Sequence, residues 1–144
     1  MALIRGTCIE LDGTGVLLRG PPGSGKSDLA LRLIDGGGRL VADDQLVVEE
    51  AQGTLSASAP EAIAGLLEVR GLGVVRMPTV ASAQLGLVVE LVPPEAVERL
   101  PQPATCTLLG VSLPLVRLDA LTASACAKVR LAARAVHQDI MASS

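Results

Sequence analysis

The eight residues Gly20-Pro21-Pro22-Gly23-Ser24-Gly25-Lys26-Ser27 form a complete G-x-x-x-x-G-K-[ST] loop, the spacing that lets main-chain amides close round a polyphosphate. Glycines reach backbone angles closed to other residues, so successive N–H groups can point inward at phosphate oxygens, and the dipole of a following helix adds positive potential. In such a loop Lys26 reaches the β- and γ-phosphates and the Ser27 hydroxyl serves Mg²⁺, so ATP and Mg²⁺ are the expected cofactors. The apolar run Val16-Leu17-Leu18 before the loop and the helical pattern Asp28 to Ile34 after it supply the strand and helix start that distinguish a working anion site from a chance match.

Asp43 and Asp44 follow the short apolar run Leu40-Val41-Ala42, at the strand end where α/β sheets gather their ligands. A carboxylate there can hold Mg²⁺ or take a proton from an attacking hydroxyl, both of which phosphoryl transfer requires. Neighbouring side chains of an extended segment point to opposite faces, so only one of the two is expected to face the γ-phosphate. Glu68 and Arg70, like Arg76 and Arg99, would by themselves be ordinary surface charges. Lys128, Arg130 and Arg134 read as the solvated face of a terminal helix. His137 carries no assigned role.

Around these residues the pattern predicts an α/β domain. A strand over residues 4–11 turns at Asp12-Gly13-Thr14-Gly15 into a second strand over residues 16–19, which feeds the phosphate loop. The helix opening at Ser27 stops at Gly36-Gly37-Gly38. Short strands are expected at residues 39–42, 45–50 and 55–57, a short helix over residues 60–67 and a charged loop over residues 68–73. A central strand over residues 85–92 is halted by Pro93-Pro94; strands at 105–109 and 115–118 and an amphipathic helix near residues 123–138 complete a single domain.

Composition narrows the class. With 144 residues the chain fits one core. Hydrophobic residues make up 49% of it and no Phe, Tyr or Trp is present, so the core is built of aliphatic side chains and no base can stack on an aromatic ring. A net charge of −3 offers no basic field for DNA or RNA, and nucleic acid is not an expected partner. No apolar run reaches membrane-spanning length, and no signal peptide is evident, so a cytoplasmic protein is expected. Cys8, Cys106 and Cys126 are widely spaced and read as reduced thiols, not as a metal site.

Four stretches carry a resemblance: residues 15–20 leading into the loop, residues 36–46 with Leu-Val-Ala-Asp-Asp-Gln at their centre, residues 66–74 with Leu-Leu-Glu-Val-Arg-Gly-Leu-Gly-Val, and Glu98-Arg99-Leu100-Pro101. Together they make the chain similar to HPr kinase/phosphorylase, in a short form holding only the C-terminal catalytic domain. The resemblance implies a P-loop-containing fold with a phosphoenolpyruvate-carboxykinase-like sheet and flanking helices. It implies a hexameric enzyme that phosphorylates a serine of the carrier protein HPr with ATP and removes that phosphate by phosphorolysis, taking up phosphate and yielding pyrophosphate. By position, Lys26 contacts the phosphates, Ser27 and Glu68 serve the metal, Asp44 is the base in one direction and the acid in the other with Asp43 beside it, and Arg70 and Arg99 are active-site arginines. The family usually carries a histidine where this sequence has Arg5, and an arginine cannot shuttle a proton near neutral pH. The family's Phe-Gly stretch is replaced by residues 78–84, and residues 123–128 match loosely. An ATP-sensing module that binds without turnover and a small-metabolite kinase are the alternatives.

Overall fold

The computed structural model describes residues 1–142. Eleven strands and two α-helices follow one another as β1 Ala2–Arg5, β2 Thr7–Leu11, β3 Thr14–Arg19, α1 Lys26–Asp35, β4 Arg39–Ala42, β5 Gln45–Ala51, β6 Thr54–Ser58, β7 Leu66–Val69, β8 Gly73–Arg76, β9 Ala83–Leu91, β10 Ala104–Leu108, β11 Val111–Leu118 and α2 Ala125–Ala135. No helix among the described residues is long and apolar enough to cross a membrane.

The nine-stranded sheet is organised by β9. One edge of β9 pairs in parallel with β3. Its other edge forks: the first residues pair antiparallel with β6, and residues from Val88 onward pair in parallel with β11. Beyond β3 lie β2 and β4, each antiparallel to its neighbour, so β4 runs in the same sense as β3. The strands β3, β4, β9 and β11 therefore end at one edge of the sheet, and the phosphate loop, Asp43, Val92 and Asp119 all emerge there.

Alternation along β3 and β9 feeds two cores. Val16, Leu18, Leu87 and Val89 pack against Leu29 and Leu33 of α1 and Val129 of α2. On the opposite face Leu17 and Val88 meet Leu46 and Val48 of β5, Leu55 of β6 and Leu115 of β11. Both helices lie on the first face; the second is closed by the sheet curling over itself. Being buried on both sides explains why residues 85–91 are mostly apolar, Glu90 excepted.

Three expectations are corrected. The first strand is broken into β1 and β2 at Gly6, whose φ is 145°; a Cβ there would stand 2.7 Å from Leu17 Cδ1 and 2.9 Å from the Leu18 carbonyl, so the chain crosses β3 at a distance only glycine allows. The helix expected over residues 60–67 is a single 3-10 turn at Glu61–Ile63, because Gly65 with φ 77° ends it. The charged loop expected over residues 68–73 is instead an antiparallel hairpin of β7 and β8, since Leu67 and Val69 alternate into the core beside α1.

Cys8 is fully enclosed in β2, and desolvation pushes its thiol up to about 12 although a hydrogen bond with the Val16 backbone opposes the rise. The unfolded thiol ionises near 8.5, so the folded state holds the proton more firmly and its advantage is intact below that value. Stability should fall by about 1.4 kcal/mol per pH unit as pH rises from there toward 12. Urea unfolding between pH 8 and 10.5 should show this slope, absent in Cys8→Ala.

Candidate active site

At the shared sheet edge β3 ends in Arg19 and the chain turns into the loop. Gly23 and Gly25 take φ values of 81° and 97°, and Gly25 is the residue from which α1 departs. The Lys26 ammonium donates to the carbonyl oxygens of Gly20 at 2.7 Å and Pro21 at 3.2 Å. An ammonium has three N–H donors, so two carbonyls leave one for an incoming oxygen. Among the described residues Ser24 Oγ is a buried side-chain polar atom with no hydrogen-bond partner, a position that costs about 1–3 kcal/mol unless a ligand satisfies it. This donor set fits a nucleotide's phosphates.

The Asp43 carboxylate is the junction of the site. Its Oδ1 accepts from Thr7 Oγ1 at 3.0 Å and from Ser27 Oγ at 3.1 Å. Its Oδ2 accepts from the Glu68 backbone N–H at 3.3 Å. One buried side chain thus ties β2, the start of α1 and the β7–β8 hairpin together. Asp44 behaves differently. The Gln45 N–H bonds back to the Asp43 carbonyl at 2.8 Å, closing a three-residue turn with Asp44 at its centre and φ 69°, sparsely populated backbone for a residue other than glycine. The Gly6 N–H holds the Asp44 carbonyl at 3.0 Å. The acids are not in extended chain: Asp43 is turned in toward Ser27 and Asp44 is exposed.

Beside the loop lies a cavity of about 500 Å³ lined by Arg5, Arg19, Gly20, Pro21, Glu90 and the residues 91–93 that follow. Glu90 on β9 stands between two arginines in register on neighbouring strands, Arg19 at 3.1 Å and Arg117 at 3.3 Å. Two guanidinium groups share one carboxylate, and Arg5 adds a third, so the mouth of the cavity carries net positive charge suited to anions. Behind the loop, Arg32 of α1 donates to the Ala120 carbonyl, and a Cβ on Gly25 would stand 3.0 Å from that of Ala120; the segment after β11 buttresses the start of α1.

Lys26, Ser27, Asp43 and the Glu68 backbone are therefore brought together with loop residues 20–25. Arg70 sits in the exposed hairpin turn and Arg99 in the exposed segment after β9, and neither makes a salt bridge or side-chain hydrogen bond among the described residues. The sequence did not reveal Thr7, Arg19, Glu90 or Arg117 as parts of this edge. A hydroxyl within the apolar run 7–9 was the available signal, since a buried hydroxyl must find a partner. For Mg²⁺ the chain offers Ser27 Oγ and the Asp43 oxygens, hard donors of the kind that ion takes alongside phosphate and water; among the described residues no three His, Cys, Asp or Glu side chains gather, round Asp43 or round Glu68.

Residues 1–142 match the family described as HPr Serine kinase C-terminal domain. The chain belongs to that family. It is 45% identical over 76 residues to the HPr kinase/phosphorylase of Clostridium tetani, covering 53% of this chain and 25% of that protein. It is 49% identical over 81 residues to the HPr kinase/phosphorylase of Bacillus pumilus, covering 56% and 26%. The match thus spans about a quarter of the length of these curated relatives. The solved Hpr(Ser) kinase/phosphatase of Coxiella burnetii superposes with a TM-score of 0.84 at 26% identity, covering 94% of this chain and 95% of that one.

Replacing Thr7 by Val keeps its shape and removes the donor to Asp43. Loss of this buried hydrogen bond should lower the unfolding free energy by about 1–3 kcal/mol, measured by urea titration. A change below about 0.5 kcal/mol would mean that the Asp43 junction does not depend on it.

Proposed function

We propose that the chain transfers the γ-phosphoryl group of ATP to a serine hydroxyl of HPr. The observation that carries this is the Ser27–Asp43 contact, which sets a carboxylate one hydrogen bond from the end of the loop that grips a nucleotide's γ-phosphate. The loop amides and Lys26 hold the phosphates and take up charge as the terminal P–O bond breaks. Mg²⁺, held through the Ser27 hydroxyl, would neutralise the phosphate oxygens. The serine oxygen forms the new P–O bond, its proton passes to an aspartate, and ADP leaves.

Family resemblance gives the proton to Asp44. We assign it to Asp43, because a base must first lie within reach of the proton it takes, and the turn that brings Asp43 to Ser27 leaves Asp44 in solvent. Glu68, Arg70 and Arg99 surround the place where a protein substrate docks: the hairpin presents the first two, and the segment after β9 the third. In the reverse direction the same loop holds inorganic phosphate, which attacks phosphoserine to give pyrophosphate. Arg5 lines the cavity and supplies fixed charge without proton exchange, so Asp43 carries the proton both ways. Exposed Leu72, Val74 and Leu100 give the docking side apolar surface for HPr or for further copies in a hexamer. The three free cysteines suit a reducing, cytoplasmic setting.

The test is incubation with HPr, ATP and Mg²⁺ and detection of phosphoserine by mass. Lys26→Ala should abolish transfer, Asp43→Asn should lower kcat by about 10²–10⁴, and Asp44→Asn should cost much less. A larger loss at Asp44 would return the base to that residue. ATP binding with no transfer to HPr would instead favour a nucleotide sensor.

A further inference from the structure

A second cavity is larger than the one beside the phosphate loop. It measures about 810 Å³ and lies at the opposite end of α1, bounded by the β2–β3 turn, the glycines after α1 and the last turns of α2. A helix of this length spans about 15 Å, so the two sites are separate.

Three nitrogen-bearing side chains enter this cavity from α2 and the residues after it: Arg130, Arg134 and His137. Their spacing of four and then three places them on one helical face. Arg130 donates one N–H to the Leu33 carbonyl at 3.1 Å, closing the carboxyl end of α1, and retains further donors in its guanidinium fork. Neither arginine has a carboxylate partner within salt-bridge distance among the described residues. Like charges four residues apart on a helix repel, and an anion bridging them would remove that repulsion. His137 is fixed by a 2.8 Å hydrogen bond between its Nε2 and the buried Thr14 hydroxyl, which leaves its other ring nitrogen outside that bond. The floor is Gly36, Gly37 and Gly38, with no side chain to fill the space; a Cβ on Gly36 would collide with the Arg130 guanidinium. Asp12 lines the rim with the opposite sign, while nearby Glu10 is already engaged by Arg39 at 2.9 Å.

We propose that this cavity is a second anion site, distinct from the phosphate loop, that takes a small phosphate-bearing molecule between Arg130, Arg134 and His137. Planar guanidinium forks match phosphate oxygens two at a time, and the size suits a small ligand, not a macromolecule.

His137 is the single histidine of the chain, so its imidazole NMR signals report on this cavity alone. Inorganic phosphate or glycerol 3-phosphate, titrated at constant pH and ionic strength into Lys26→Ala protein, should shift those signals saturably, and Arg134→Gln should weaken that binding at least tenfold. Tighter binding of glycerol 3-phosphate would identify a phosphate ester as the ligand class; equal or tighter binding of inorganic phosphate would identify the free ion. Unmoved signals, shifts reproduced by chloride at equal ionic strength, or shifts unchanged by Arg134→Gln would overturn the proposal. The same titration on the natural chain applies if Lys26→Ala does not fold.

Discussion

The site depends on one buried carboxylate. Asp43 accepts from Thr7, Ser27 and the Glu68 backbone, and those donors come from three segments that share no local sequence. A buried carboxylate left without partners is strongly unfavourable, so each donor is needed where it stands. The direction of Ser27, the seating of the β7–β8 hairpin and the path of β2 are set together. Because Asp43 follows β4 directly, the position of that strand beside β2 sets where the junction forms.

The sheet serves this arrangement by bringing four strand ends to one edge. Parallel pairing of β3 with β9 and of β9 with β11 aligns Arg19, Glu90 and Arg117 across three strands. The charge row lies next to the loop without occupying it. These pairs are partly exposed, and such pairs contribute little to stability; their effect is on the potential met by an approaching anion. Curling of the sheet onto its own second face leaves the first free for both helices, and α1 can then start at the loop and end at the far cavity.

Legibility in the sequence followed the range of the interactions. The phosphate loop, the glycine stop after α1 and the central strand β9 are written in contiguous residues, and all lie where the pattern put them. The β7–β8 hairpin was hidden because Leu66 and Leu67 after a proline resemble a helix, while the strand pattern is confined to Leu67 and Val69 on either side of Glu68. The split of Asp43 from Asp44 needs a left-handed turn held by Gly6, the break between β1 and β2, information 38 residues away in the chain. Thr7 and Arg130 were missed for the same reason: each is defined by a partner distant in sequence, Asp43 for one and the Leu33 carbonyl for the other.

The coupling of Ser27 to Asp43 is the claim most open to direct measurement. Calorimetric titration of ATP with Mg²⁺ into the natural chain, Ser27→Ala, Asp43→Asn and the double variant closes a cycle that isolates the pair. The account predicts that the double variant loses less affinity than the two single losses added together, with a coupling of about 1 kcal/mol or more. Strict additivity would show that the two residues act independently and would contradict it.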